Sequence, residues 1–284
     1  MKTKTIKELD KVIRQSLAKI YPPEEISGLI SLIFEKKVNL KKTDILLNAD
    51  KILDQKTIDE VMNIVDQLKK SKPIQYILGE ADFYDLTLRV NPNVLIPRQE
   101  TEELVDWIIK DNKDENHKIL DIGTGSGCIA ITLARHLEGS EVEALDTSNE
   151  IIDLVKKNAE KNSVQLQYTV SDILSDNQRN KRYDIIVSNP PYVLESEKRL
   201  IKKNILDYEP EEALFVKETH PLIYYEKIAD FAFSHLKRRG KLYFEINENK
   251  GKEVYNMLSE YGFNEIEIRK DINGKDRMIK AIKK

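Results

Sequence analysis

The chain has 284 residues, of which 40% are hydrophobic and 33% are charged, enough for one large and one small globular domain. Its net charge of −3 lacks the basic excess of general nucleic-acid binders, so no stable nucleic-acid binding is expected. No apolar run approaches the roughly 18 residues that span a bilayer, and the polar segment Met1–Ile6 lacks the apolar core of a signal peptide. The composition favours a cytoplasmic protein without membrane association.

The only cysteine is Cys128, so no intrachain disulfide is possible and a reducing cytoplasm is the natural setting. Cys128 stands just after a glycine-rich segment without a recognisable histidine pattern nearby, which favours a small buried packing residue over a nucleophile. The four histidines are scattered without the spacing of metal ligands. No metal site is therefore predicted.

Residues 1–72 show helical hydrophobic spacing and predict a small N-terminal helical bundle. Pro22 and Pro23 followed by Glu24 and Glu25 predict the start of its second helix. Proline suits the first turn of a helix, and acidic side chains suit the positive end of its dipole. The bundle is too short to be the catalytic unit.

Residues 73–97 are predicted to form a β-hairpin connector. Ser71-Lys-Pro73 breaks the last helix of the bundle, and the segment 83–90 then alternates partly like a strand. The turn-forming residues Asn91–Asn93 are expected to direct the chain back along a second strand at Val94–Ile96.

Residues 98–284 have the alternating pattern of an α/β domain. A helix is predicted from Glu100 to about Lys110. Further helices are predicted near 126–137, 148–161, 220–238 and 250–261, and strands near 118–122, 141–145, 165–170, 184–188, 240–246, 263–270 and 276–282. Gly274 between the last two strands suits a hairpin, which would add an antiparallel strand to a mostly parallel, Rossmann-like sheet.

A glycine-rich turn joins the first of these strands to an apolar helix, the order that begins a nucleotide-binding α/β sheet. Its spacing is G-x-G-x-G, not the G-x-G-x-x-G that suits a pyrophosphate. A carboxylate beside the loop would repel phosphate and attract an ammonium group. The motif therefore favours a ligand with a zwitterionic amino-acid end, such as S-adenosylmethionine. The predicted cofactor-binding residues of this segment are Asp121, Gly123, Thr124, Gly125, Ser126 and Gly127.

Two further acidic residues follow the next predicted strands. Asp146 lies about 20 residues beyond the loop, where an acid binds ribose hydroxyls. Asp172 follows the strand at 165–170 and is expected to reach the edge of the adenine, with Ile173 beside it. For both carboxylates, an ordinary structural role at the end of a strand is the alternative.

The motif Asn189-Pro190-Pro191-Tyr192 follows the apolar strand at 184–188. The Asn189 side-chain oxygen and a backbone carbonyl in this proline corner provide two acceptors. Together they can hold a planar –NH₂ group by both hydrogens, with its lone pair facing inward, while Tyr192 offers an aromatic face to a flat amide or base. A proline-rich loop without chemistry is the alternative, but the glycine-rich motif upstream favours the catalytic interpretation.

With both motifs placed, nearly the whole chain resembles the PrmC/HemK family, class I methyltransferases that modify a glutamine of bacterial peptide chain release factors. The matching segments are Gln75–Glu80 with Phe83-Tyr84, Val94–Arg98, Glu100–Glu102, Ile119–Gly127, Asn189–Tyr192, Tyr208–Pro210 with Ala213-Leu214, Phe244–Ile246 and Asp271–Arg277. The connector is the specific part of this resemblance, because many methyltransferases share the other two motifs. The chain departs from the family at Gln99, often proline, and at Phe215–His220, usually glycine-rich.

The resemblance implies methyl transfer from S-adenosylmethionine to the side-chain amide nitrogen (N5) of the glutamine in a Gly-Gly-Gln loop. The –NH₂ group would be oriented by Asn189 and the Pro190 carbonyl. Asn189 would also contact the cofactor. No dedicated general base is evident. Because a methyltransferase domain alone has no obvious means of selecting one loop, the N-terminal bundle is the candidate for release-factor binding. A monomer is expected. Arg98 and Glu100 either close over the methionine end of the cofactor or form a surface pair.

Three other functions are compatible with these motifs. An adenine-N6 methyltransferase would use the same Asn189 chemistry on a flipped base, but the acidic balance and the lack of a recognisable target-recognition domain disfavour it. A ribosomal-protein glutamine methyltransferase would use the same chemistry. Only the connector and the N-terminal segment, which resemble the release-factor enzymes, distinguish the two functions. A cofactor-binding scaffold without activity would have no need of the Asn189 side chain.

Overall fold

The computed structural model describes residues 4–113, 116–175 and 180–284. Residues 1–3, with which the predicted bundle and the polar N-terminal segment begin, lie outside the described residues. The chain forms two compact units, one made of the residues up to Gly79 with Lys202–Tyr208, the other of Glu80–Ile201 with Glu209–Lys284. Within the described ranges, no helix combines the length and the apolar character that crossing a membrane requires.

The first unit is helical, with one short two-stranded sheet. Its elements are β1 (Lys4–Thr5), α1 (Ile6–Leu17), α2 (Pro23–Val38), α3 (Lys42–Leu47), β2 (Ile52–Leu53), α4 (Gln55–Leu68), α5 (Ile74–Leu78) and α9 (Lys203–Tyr208). Pro23 occupies the first turn of α2, as the sequence predicts. The antiparallel pair β1–β2 was not predicted, because strands of two residues are too short to show a two-residue period.

The predicted β-hairpin begins earlier in the chain than expected. Strand β3 (Glu80–Phe83) pairs antiparallel with β4 (Leu86–Arg89), and the turn between them includes Tyr84 with φ of 56°. The prediction of a strand at Val94–Ile96 was wrong. Asn91–Asn93 does form a turn, but it leads into an irregular segment. The apolar residues that alternate on the two sides of the Tyr84 turn give this shorter hairpin its buried face.

The second unit contains a seven-stranded sheet in the order β12-β13-β11-β8-β5-β6-β7. Its strands are β5 (Lys118–Ile122), β6 (Glu141–Asp146), β7 (Gln167–Val170), β8 (Tyr183–Ser188), β11 (Leu236–Glu245), β12 (Phe263–Lys270) and β13 (Asp276–Lys283). Neighbouring strands are parallel except at β13, which is antiparallel to both of its neighbours. The predicted fold class, a mostly parallel sheet with a C-terminal antiparallel hairpin, is confirmed.

The remaining elements of the second unit connect these strands. They are α6 (Gln99–Asp111), α7 (Cys128–His136), α8 (Asn149–Lys161), β9 (Val193–Leu194), a 3₁₀ helix (Glu195–Leu200), α10 (Glu211–Leu214), β10 (Phe215–Val216), α11 (Ile223–His235) and α12 (Gly251–Glu260). Helix α11 ends three residues before the predicted 238, and β11 starts at Leu236 instead of 240. The pairing of β11 with β8 shifts register between Leu236 and Lys241, so this irregular stretch lacks the alternation of a regular strand.

The sheet topology determines where the functional segments lie. Strands β5, β6, β8 and β11 run parallel, so the segments that follow them leave the same edge of the sheet. The glycine-rich turn follows β5, Asp146 ends β6, and Asn189 follows β8. Glu245 ends β11 at the same edge.

Candidate active site

A cavity of about 460 Å³ lies at this edge of the sheet. Its wall includes all the site residues predicted from the sequence except Asp121, Gly127 and Tyr192. The predicted residues in the wall are Gly123, Thr124, Gly125, Ser126, Asp146, Asp172, Ile173, Asn189, Pro190 and Pro191. The structure therefore brings the glycine-rich motif and the proline corner to one site.

The glycine-rich loop needs glycine at positions where other residues would be strained. Gly123, Gly125 and Gly127 all have positive φ, of 71°, 54° and 82°. At Gly127, a Cβ would lie 2.9 Å from side-chain atoms of both Ile131 and Val155. This glycine lets the start of α7 pack closely against α8, and the loop before it faces the cavity.

Asp121 supports the loop from behind. Its Oδ2 accepts hydrogen bonds from Thr124 Oγ1 at 2.6 Å and from the backbone N–H of Ala130 at 3.2 Å. The second bond caps the first turn of α7. The side chain is buried, and Oδ1 has no hydrogen-bond partner among the described residues. Burial raises the pKa of Asp121 to about 7, against the opposing effect of these two hydrogen bonds.

Replacing Asp121 by asparagine should make the protein more stable at pH 8 but not at pH 4. The carboxyl has its raised pKa only in the folded state, so the wild type loses stability as pH rises from about 4 to about 7. Asparagine keeps one acceptor for Thr124 and Ala130 and does not ionise. Urea unfolding of both proteins across this pH range measures the difference. If the free energy of unfolding of both proteins changed with pH in the same way, the pKa of Asp121 would not be raised by burial.

Asp146 connects the glycine-rich loop to the end of β6. Its Oδ2 accepts from the backbone N–H of Gly125 at 2.9 Å, and its Oδ1 from the N–H of Thr147 at 2.8 Å. Burial raises the pKa of Asp146, although these hydrogen bonds oppose the shift. The two N–H donors fix the orientation of the carboxylate in the cavity wall.

Asp172 and Ile173 line the cavity beyond β7. The Asp172 side chain is exposed and accepts from the N–H of Leu174 at 2.9 Å, the local bond of a turn. Ile173 is buried and packs in the apolar cluster that contains Leu145 and Ile186. The Asp172 carboxylate thus accepts a hydrogen bond within its own turn and also lines the cavity.

Asn189 is held by a chain of hydrogen bonds. Its Nδ2 donates to Thr101 Oγ1 at 3.2 Å, and Thr101 Oγ1 donates to Glu245 Oε2 at 2.6 Å. The Tyr192 hydroxyl donates to the other oxygen, Glu245 Oε1, at 2.9 Å. Among the described residues, nothing donates to Asn189 Oδ1 or to the Pro190 carbonyl oxygen. The two acceptors predicted from the sequence are thus available for a substrate.

Thr101 and Glu245 belong to this site but were not predicted from the sequence. Burial raises the pKa of Glu245, whereas the hydrogen bonds from Thr101 and Tyr192 and the charge of Arg277 lower it. A usable signal was present, since Glu245 ends an apolar strand at the edge where ligands bind. Tyr192, predicted to present its ring to the substrate, lies outside the cavity wall and binds Glu245 instead.

Arg98 pairs with a residue far along the chain, not with Glu100. Its Nη2 donates to Glu209 Oε1 at 2.5 Å, and Glu209 Oε2 accepts from the N–H of Ile96 at 3.3 Å. The Glu209 side chain is 1% exposed and that of Arg98 is 32% exposed, so the carboxylate end of the pair is buried and the guanidinium end is partly open. Arg98 lines the cavity, whereas Glu100 does not. The pair secures the segment before α6 against the segment before α10.

Cys128 lines the cavity and is half-buried, whereas the sequence predicted a buried packing residue. Burial raises the pKa of its thiol, which disfavours a nucleophilic thiolate. Over the described ranges, no three or more His, Cys, Asp and Glu side chains are arranged to hold a metal ion.

Known proteins of similar fold include a methyltransferase from Pyrococcus furiosus. Its structure matches with a TM-score of 0.53 at 17% identity, over 70% of this chain and 90% of that protein. A 16S rRNA N2 G1207 methyltransferase from T. thermophilus matches with a TM-score of 0.54 at 20% identity, over 72% of this chain and 50% of that protein. These likenesses support the class I methyltransferase fold.

Sequence comparison gives the family. A family model described as PrmC N-terminal domain matches residues 11–79, and one described as methyltransferase small domain matches residues 100–212. A release factor glutamine methyltransferase from Flavobacterium psychrophilum is 47% identical, over 94% of this chain and 95% of the relative. One from Bacteroides thetaiotaomicron is 46% identical, over 95% and 97%. The chain therefore belongs to the family of release factor glutamine methyltransferases, which are S-adenosylmethionine-dependent enzymes.

Proposed function

We propose that this enzyme transfers a methyl group from S-adenosylmethionine to the side-chain amide nitrogen (N5) of the glutamine in the Gly-Gly-Gln motif of peptide chain release factors. The observation that carries the proposal is the pair of available acceptors, Asn189 Oδ1 and the Pro190 carbonyl oxygen, in the wall of the cavity. The similarity to relatives named release factor glutamine methyltransferase supports the choice of substrate.

The chemistry of the cavity wall fits S-adenosylmethionine. Asp146 presents a carboxylate suited to ribose hydroxyls, and the wall around Ile173 combines apolar side chains with the Asp172 carboxylate for an adenine. The loop Gly123–Ser126 would hold the methionine end. Asp121 lies behind this loop, so we assign it the support of Thr124 and α7 instead of direct contact with an ammonium group. When bound, the cofactor supplies an electrophilic methyl group and a neutral thioether as leaving group.

The chain's own contribution is to orient a poor nucleophile. The lone pair of an amide nitrogen is delocalised into its carbonyl group, so the –NH₂ group must be held and pyramidalised. Asn189 Oδ1 and the Pro190 carbonyl would accept one hydrogen each and aim the lone pair at the methyl group. Proximity and preorganised dipoles then provide the catalysis, and the surplus proton leaves the nitrogen after transfer.

We assign release-factor binding to the helical unit and place the enzyme in the cytoplasm as a monomer. The assignment is supported by the separate apolar core of that unit, formed by residues between Ile6 and Ile74. The cavity residues, including those of both motifs, all belong to the other unit. Recognition of the partner and methyl transfer can thus reside in different parts of the chain.

Mass spectrometry tests the proposed reaction. Purified release factor is incubated with this protein and S-adenosylmethionine, with adenine-containing DNA as a parallel substrate. One added methyl group on the Gly-Gly-Gln glutamine is expected, and DNA should remain unmodified. Methyl transfer to DNA adenine, with the release factor left unmodified, would overturn the proposed substrate. The role of Asn189 in binding an –NH₂ group would remain valid.

Replacing Asp146 by asparagine should weaken S-adenosylmethionine binding by about 10–100-fold, since a charge-assisted hydrogen bond is worth about 1.5–3 kcal/mol. The substitution removes the charge that would bind the ribose and leaves one oxygen to serve Gly125 and Thr147. Isothermal titration calorimetry measures the affinity. Asp153→Asn on the exposed face of α8 is the matched control and should bind like wild type. Equal affinity of the Asp146 variant would remove this carboxylate from the site.

A further inference from the structure

The side-chain amide of Asn189 can function in only one of its two orientations. With Oδ1 toward the substrate it accepts from an –NH₂ group, whereas with Nδ2 there, one donor would face another. Rotation by 180° about the last bond exchanges these arrangements with little change in shape. The surrounding hydrogen bonds therefore have to determine the orientation.

Glu245 determines the donor-to-acceptor direction, or polarity, of the hydrogen bonds that reach Asn189. It is 1% exposed, and both its oxygens act as acceptors, Oε2 from Thr101 and Oε1 from Tyr192. Both hydroxyls that contact Glu245 donate to it, so in this arrangement neither of its oxygens supplies a proton to Thr101. The Thr101 hydroxyl proton is thus committed to Glu245, and Thr101 Oγ1 can then only accept from Asn189.

Thr101 is placed to pass this polarity on. It lies near the start of α6, is 2% exposed and lines the cavity beside Asn189. Its Oγ1 is 2.6 Å from Glu245 Oε2 and 3.2 Å from Asn189 Nδ2. A rotated Asn189 would bring its oxygen against an oxygen whose proton is already used.

We propose that Thr101 and Glu245 are positioning residues that fix the Asn189 amide with its oxygen toward the substrate, so that the site accepts an –NH₂ group. This inference rests on the proposed function and adds to it the residues that set the hydrogen-bond polarity of the site. The polarity begins at a buried carboxylate on β11, passes through a hydroxyl on α6 and ends after β8. Of these three residues, only Asn189 would hydrogen-bond to the substrate.

Thr101→Val tests the inference, because valine keeps the shape of threonine and cannot hydrogen-bond. We expect kcat for release-factor methylation to fall about 10–100-fold, as orientation effects of this kind do. KM for the release factor and Kd for S-adenosylmethionine should stay within about threefold, since no direct contact is lost. Thr101→Ser restores the hydroxyl and should recover most of kcat. Thr132→Val, at a buried hydroxyl that donates to the Cys128 carbonyl, is the matched control for the change itself.

A double-mutant cycle separates positioning from general damage. If Thr101 acts through Asn189, adding Thr101→Val to Asn189→Ala should change kcat by less than about twofold. A loss of equal size in both backgrounds, or unchanged kcat in Thr101→Val alone, would overturn the inference. Failure of the proposed function would appear separately, as wild-type enzyme that leaves the release factor unmethylated.

Discussion

Replacing Asn189 by alanine should lower kcat for release-factor methylation by about 10²–10³-fold, the usual effect of removing one preorganised dipole from a reacting centre. The Asn189 side-chain oxygen is one of two acceptors that would hold the substrate –NH₂ group, and the alanine variant keeps only the Pro190 carbonyl. Affinity for S-adenosylmethionine should stay within about threefold, because the other cavity residues are untouched. Single-turnover kinetics and calorimetry measure the two quantities.

Two further variants sharpen this result. Asn189→Asp keeps an oxygen toward the substrate but cannot donate to Thr101, and it adds a negative charge beside a hydroxyl already bound to Glu245. It should also lose most of its turnover. Asn264→Ala removes an asparagine whose Nδ2 donates to the nearby Gly262 carbonyl, and it should behave like wild type. Turnover near the wild-type rate in Asn189→Ala would exclude the –NH₂ clamp from the mechanism.

The sequence predicted the sheet and the cavity wall well because both depend on local signals. The strand before Gly123 is apolar, and the positive φ values that the loop adopts favour glycine, so the pattern and the structure have the same physical cause. The order of the segments then places Asp146 and Asn189 at the same edge, since parallel strands share their carboxyl ends. No long-range information was required for these residues.

Other parts of the site depend on pairings that a linear pattern does not show. Thr101 and Glu245 are separated by 144 residues, yet their side chains bond at 2.6 Å. Arg98 pairs with Glu209 across 111 residues, where the sequence suggested the methionine end of the cofactor or Glu100. The Tyr192 hydroxyl donates to Glu245, because the ring packs among apolar side chains and a hydroxyl in such surroundings needs an acceptor.

A chain that begins at Glu80 should lose at least about 10²-fold in kcat/KM on intact release factor, because partner contacts commonly supply a few kcal/mol of binding energy. Its affinity for S-adenosylmethionine should remain within about threefold of the full chain. The apolar cluster of the helical unit is formed by residues from Ile6 to Ile74, with Ile77 and Leu78 packed against it. The two clusters of the methyltransferase unit contain no residue before Phe83 among the described residues, so the truncation removes none of their core. Calorimetry with the cofactor and thermal unfolding establish first that the shortened protein folds.

A short Gly-Gly-Gln peptide distinguishes binding from support. Such a peptide offers the reacting glutamine without the rest of a release factor, so the full and shortened chains should methylate it at rates within a few-fold of each other. The segment Lys202–Tyr208 keeps its sequence but loses partners such as the Lys70 carbonyl, which accepts from Tyr208 Oη at 3.0 Å. Loss of activity on the peptide as well would mean that the helical unit stabilises the catalytic unit. Equal activity on intact release factor would mean that the catalytic unit selects its own substrate. Loss on the release factor alone therefore assigns recognition to the helices.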